Sequence, residues 1–165
     1  MQQLKINSAA IGAPEEGGDG FPSGIDIRLF KGFPETDLHD LASFGYVQRY
    51  YQNDIIIPGN SEDRNVYILI DGNVVLWKLN APVLTVKNGE AFNEAVVFFP
   101  SPGSVVARSE QESLVFKIAR DSLKEYFSGR PERLFKIFTL NMIAVMQQKI
   151  VYYESCIART HHRYR

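Results

Sequence analysis

Cysteine and histidine are almost missing from this chain of 165 residues. The one cysteine, Cys156, excludes an internal disulfide framework and any thiolate-rich zinc site. The three histidines are His39, His161 and His162, so nothing between Asp40 and Thr160 supplies an imidazole. A histidine-built metal centre or general base inside the body goes with them. An excess of one charge is also absent: 18 basic against 19 acidic residues leave a formal net charge of -1, and no global field recruits nucleic acid or a membrane surface. No uninterrupted apolar run approaches the ~20 residues of a membrane span. Met1–Ile11 lacks the apolar centre of an export signal, so a cytoplasmic protein with no membrane partner is expected. No nucleophile–base pair or nucleotide-hydrolysis motif stands out, and neither a catalytic nor a metal-binding residue is assigned.

What is present suits one domain with its own core: 45% hydrophobic, 12% aromatic and 22% charged residues. Residues 1–27 read as a flexible leader, because the 13–20 stretch is rich in Gly, Pro and acid and lacks periodicity. A short helix is expected after Pro34, with Glu35 and Asp37 at its positive end, an apolar face of Leu38, Leu41 and Ala42, and a stop at Gly45. Short β-branched and aromatic runs then predict strands at Tyr50–Ile57, Asn65–Ile70, Asn73–Leu79, Val83–Val86, Ser104–Arg108 and Ser113–Lys117. Pro58-Gly59, Asp71-Gly72 and Asn88-Gly89 mark corners that favour positive φ, and Asp71-Gly72 reads as a tight hairpin turn.

The last third is helical. A short helix over Asp121–Phe127 ends at Gly129, and Pro131 opens a long one running to about residue 158. Leu134, Phe135, Ile137 and Phe138 form a broad face expected to pack on the β body. Ile143, Met146, Ile150, Tyr153 and Ile157 then alternate at spacings of three and four, a heptad seam that predicts a homodimer. The basic tail, residues 159–165, reads as a solvated terminus.

Several segments resemble the cyclic nucleotide-binding domain, the sensor half of catabolite-activator-type regulators. Tyr51-Gln-Asn-Asp54-Ile55-Ile-Ile57-Pro58-Gly59-Asn60 is similar to its Y-x-x-G-E-x-I-x-x-G-D strand and turn, with Asn53-Asp54 in place of Gly-Glu. Asp63–Val75 resembles the hairpin that follows, Gly89-Glu90-Ala-Phe92-Asn93-Glu94 the entry to the phosphate-binding cassette, and Ile118–Asp121 the segment leaving the roll. The resemblance covers roughly residues 28–155, and the expected domain is residues 28–158, long helix included. It implies an α+β fold: a β-roll of double-stranded β-helix or jelly-roll type, with a short N-terminal helix and a long C-terminal one. Family members that regulate transcription carry a helix-turn-helix domain after that helix; residues 159–165 leave no room for one, so direct DNA binding is not expected.

The resemblance also implies a ligand set, and here the cassette departs from the pattern. Glu94 aligns with the carboxylate that binds the ribose. Asn93 replaces the preceding glycine, a tolerable change because Asn enters the left-handed region readily. Ala95 follows Glu94. Val96 stands where a smaller residue normally admits the phosphate, and its branched Cβ crowds that approach. Gly103 falls at the arginine that pairs with the phosphate, and Ser104 follows it. Loss of one member of a buried charge pair costs about 3–5 kcal/mol. Strand parity points Arg108 away from the vacated position; Arg64, in the preceding turn, is the other candidate replacement. Thr139, Asn141 and Gln147 are the polar residues of the long helix that could face a base, and Ser128–Pro131 is its hinge. The expected function is a non-enzymatic signalling module without a cofactor, acting through dimerisation and an unidentified protein partner. The alternative is a sensor of cAMP, cGMP or a cyclic dinucleotide that holds its phosphate by other contacts.

Overall fold

A computed structural model describes Phe21 and residues 25–59, 61–99 and 105–162, the last seven of these by backbone only. Among these residues the chain forms eight strands and three α-helices, with short 3-10 turns at Arg28–Phe30 and Glu94–Val97. Helix α1 (Glu35–Ala42) precedes β1 (Gly45–Tyr50), β2 (Ile55–Ile57), β3 (Asn65–Asp71), β4 (Val74–Lys78), β5 (Ala81–Val86) and β6 (Ala91–Phe92). Strands β7 (Val106–Ser109) and β8 (Ser113–Ala119) complete the roll, followed by α2 (Arg120–Ser128) and α3 (Glu132–His162). The strands pair antiparallel in two four-stranded sheets, ordered β1-β8-β3-β6 and β2-β7-β4-β5.

Strand β3 shows why the sequence builds this body. Its run Val66-Tyr67-Ile68-Leu69-Ile70 is apolar at every position because both faces are covered. Val66, Ile68 and Ile70 face one core with Phe116, Ile118, Leu41, Leu123, Tyr126, Leu134 and Phe138 of β8 and the helices. Tyr67 and Leu69 face the other, between the sheets, with Tyr50, Ile57, Leu76, Phe92 and Ala107. Period-2 alternation thus feeds two cores from one strand. Core packing starts before residue 28: Ile27 is buried, and the Phe21 ring lies 4.5 Å from that of Phe116.

Several expectations are corrected. Tyr50–Ile57 is two strands, because the Tyr51 amide donates to the Asp54 carboxylate at 2.7 Å and Asn53 turns with φ 73. Gly45 opens β1 instead of merely ending α1; a Cβ there would meet the Lys117 carbonyl and the Phe116 ring. Asp71-Gly72 is not a hairpin, since β3 and β4 belong to different sheets. Only Gly72 has positive φ (111) there, and a side chain on it would strike Ser113 and the Glu112 carbonyl. The tight turn with positive φ at both central residues is Leu79-Asn80, joining β4 to β5, which starts at Ala81, before Val83. Gly89 has positive φ (81), Gly59 does not.

Helix α3 is apolar nearly all round. Leu134, Phe138, Met142 and Val145 are buried on the body, and Ile137 and Met146 pack partly against it. Phe135, expected on the packed face, is 40% exposed, because that face runs along Leu134, Phe138, Met142 and Val145 at spacings of three and four. In the expected seam, Ile143 and Ile150 are exposed (57% and 56%), whereas Met146 is partly taken up by its own core. The side chain of Ile157 lies outside the described residues. Leu140 and Val151 widen the uncovered side. By length and composition alone the segment Glu132–Ser155 passes as a membrane span, although one of its faces is committed to the roll.

Candidate functional site

The cassette begins where β6 ends. Asn93 adopts the left-handed conformation (φ 58), and its side-chain amide donates to the Asn65 carbonyl at 2.8 Å, fastening the turn to β3. This reversal turns Glu94 inward at the start of the 3-10 segment, 4% exposed. Val96 and Val97 are buried behind it, and Arg120 donates from Nε to the Val97 carbonyl at 3.1 Å. Ala95 is half-buried, and its carbonyl accepts the amides of Phe98 and Phe99. Gly103 and Ser104 lie outside the described residues.

Glu94 already has a partner. Lys149, on α3, donates from Nζ to both carboxylate oxygens (2.7 and 2.8 Å) and to the Ala91 carbonyl (2.8 Å). The ammonium thus meets three acceptor oxygens, and the lysine side chain is 19% exposed. Helix periodicity delivers it: Lys149 follows Val145 by one turn and Met142 by two, on the packed side. Sequence reasoning passed over this residue. Its signal was there, because Lys149 is the one basic residue between Lys136 and Arg159, one turn after Val145 on a helix side rich in apolar residues.

Beside the pair opens a cavity of about 190 Å³, walled by Leu84 and Thr85 of β5, Ala91, and Val145, Gln148 and Tyr152 of α3. Arg28, Lys87, Glu90 and Lys149 carry its charge. Arg28 bridges Glu90 at 2.9 Å and donates to the Gln148 side chain at 3.2 Å. Among the described residues no metal-binding group of His, Cys, Asp and Glu occurs.

Of the three polar residues expected to face a base, Gln147 is exposed and the other two are engaged otherwise. Asn141 donates to the Leu29 and Lys31 carbonyls (3.2 and 2.8 Å), and Thr139 to the Phe135 carbonyl (2.8 Å). Arg108 lies over the Trp77 ring at 5.4 Å, while its neighbour Ala107 faces the roll interior. Arg64 is exposed, and its carbonyl accepts the Arg120 amide. At the hinge, Arg130 spans α1, meeting Asp40 at 2.7 Å and Asp37 at 3.4 Å over the face of Tyr126. The Tyr126 hydroxyl donates to the Asp37 carbonyl at 3.0 Å; burial first, then Asp37, pushes its pKa up to about 12.

The roll, the cassette and the two closing helices together make the fold that of a cyclic nucleotide-binding domain. Among solved structures the chain is similar to a cyclic nucleotide-binding domain from Methylobacillus flagellatus KT, with TM-score 0.73, 14% identity and 82% of each chain covered. It is also similar to the catabolite activator protein of Thermus thermophilus, with TM-score 0.67 and 16% identity over 81% of this chain and 63% of that one. A third neighbour is the regulatory subunit of a cAMP-independent protein kinase A from Trypanosoma cruzi bound to guanosine, with TM-score 0.56 and 18% identity over 63% of this chain and 38% of that one. A stretch of 125 residues is 26% identical to part of the neuropathy target esterase sws of Drosophila ananassae, taking in 66% of this chain and 8% of that protein. No family model matches the sequence.

Proposed function

We propose that this chain is a non-enzymatic, cytoplasmic regulatory module in which the cyclic nucleotide-binding fold no longer takes cAMP or cGMP in the usual way. One observation carries the reading: both oxygens of Glu94, the carboxylate aligned with the ribose contact, are bonded by Lys149 of the same chain. A ribose must displace the Lys149 ammonium from a buried carboxylate, and Val96 is buried on the phosphate side. The module acts through a homodimer and a protein partner. The uncovered side of α3, with Ile143 and Ile150 at its centre, is assigned to a second copy; Asn141, Gln148 and Lys149 bind the opposite side to the body, which argues against a lipid span.

The second reading is a sensor with other contacts, favoured by the cations Arg28 and Lys87 at the cavity. The Trypanosoma cruzi neighbour, cAMP-independent and bound to guanosine, gives it a precedent in the fold. Calorimetric and thermal-shift titration with cAMP, cGMP, cyclic di-GMP and guanosine separates the two. A ligand at 100 times its Kd stabilises a one-site receptor by about 2.7 kcal/mol, or roughly 5–11 °C at this size. No shift is expected. Micromolar binding of cAMP or cGMP overturns the first reading, and guanosine binding alone supports the second. Light scattering is expected to give twice the protomer mass of 18.7 kDa, and Ile143→Lys/Ile150→Lys to halve it.

A further inference from the structure

We infer that the Glu94–Lys149 pair is a latch that holds the far half of α3 on the roll without any ligand, so that a ligand drawing on Glu94 releases the helix. This rests on the reading above in one respect: Glu94 is spoken for in the resting protein.

The attachments of α3 divide into two groups. Near its start, the Arg130 fork on α1, the buried Leu134 and Phe138, and Asn141 bonded to two backbone carbonyls hold the helix several times over. Beyond Val145 the hold thins: Ile150 and Val151 are exposed, and the Arg28–Gln148 bond is an exposed contact at 3.2 Å. There Met146 packs partly against the core, Tyr152 lines the cavity, and Lys149 adds short bonds to Glu94 and the Ala91 carbonyl. Charge-assisted bonds to a buried carboxylate make a strong tether, since Glu94 has little solvent to fall back on once Lys149 leaves.

Two consequences follow. The Glu94 oxygens serve either Lys149 or a ligand. By linkage, a ligand on Glu94 and the docked helix weaken each other by the same factor. Release would also uncover Val145 and Met146, adding Met146 to Ile143 and Ile150 along the three-and-four spacing. Latch opening therefore enlarges the pairing surface.

The test is amide hydrogen exchange by mass spectrometry on the whole protein and its Glu94→Gln, Lys149→Gln and Lys149→Arg variants. Exchange over residues 145–155 is expected to rise at least about tenfold in the two Gln variants, with residues 132–142 unchanged and Lys149→Arg close to wild type. Exchange over 145–155 within about twofold of wild type in both Gln variants overturns the latch, as does an equal rise across the whole chain. The same measurement with saturating cAMP separates this inference from the functional reading. Binding that raises exchange over 145–155 sinks the reading and keeps the latch; binding that lowers it sinks both. Without binding, the variants alone decide the latch.

Discussion

Removing the ammonium from the Glu94–Lys149 pair should cost far more than removing the pair. In Lys149→Met the side chain keeps its apolar stem, but Glu94, with a side chain 6% exposed, faces no counter-charge and the Ala91 carbonyl loses its donor. Stranding one member of a buried pair costs about 3–5 kcal/mol. Glu94→Gln alone is milder, about 1–2 kcal/mol, because the longer and more exposed lysine can reach water. In the double variant nothing charged is buried, a Gln amide can donate to the Ala91 carbonyl, and about 1–3 kcal/mol is expected. The coupling is then roughly 2–4 kcal/mol, with the double variant more stable than the sum of the singles implies. Urea denaturation at constant m-value measures each corner of the cycle, and Lys149→Met should melt roughly 6–20 °C lower. Additivity within about 0.5 kcal/mol would refute the reasoning, since it would mean that the contact is solvated and exerts no hold on α3.

Other outcomes follow from the same structure. Leu79 is 92% exposed at φ 50 and buries nothing, so Leu79→Asn/Asn80→Gly should stabilise the hairpin by about 1 kcal/mol, visible as a higher urea midpoint. Gly72→Ala should destabilise by at least about 2 kcal/mol, because φ is 111 and the new methyl meets Ser113; a neutral result would show that the corner relaxes freely. Phe138→Ala, which empties a fully buried site ringed by Phe30, Phe127 and Phe135, should cost about 3–5 kcal/mol by the same denaturation assay. In alkali, burial raises Tyr50 and Tyr126 to about 12, and raises Tyr67 further with help from its bond to Asp63. Their unfolded values lie near 10, so this stability is complete below pH ~10 and is lost as pH rises through ~12, by about 1.4 kcal/mol per unit for each tyrosine. Chemical denaturation at pH 9 and pH 11 checks the sign.

The architecture was legible because its determinants are local. Short β-branched and aromatic runs gave most of the strands, glycine and asparagine marked several of the corners, and Pro131 followed by a long apolar stretch marked α3. The errors fell where one local pattern serves two arrangements. Asp71-Gly72 between two apolar runs reads equally as a hairpin or as a step between sheets, and only the pairing of β3 with β8 and β4 with β7 separates them. Tyr50–Ile57 has strand composition throughout, yet the Asp54 carboxylate bonded to the Tyr51 amide breaks it in two.

Short β-branched runs and turn residues by themselves indicated an all-β body of many short strands between helices, because each signal depends on neighbours a few residues away; the roll and the place of Glu94 at its cassette came from the resemblance to the cyclic nucleotide-binding domain. Only the tertiary structure decided what Glu94 touches. Lys149 lies 55 residues further along the chain. It reaches the carboxylate because α3 folds back over β6 on the Leu134, Phe138, Met142 and Val145 face, which leaves the ammonium between Glu94 and the Ala91 carbonyl. A lysine on the packed side of a helix announces that some partner exists; which partner is a property of the fold.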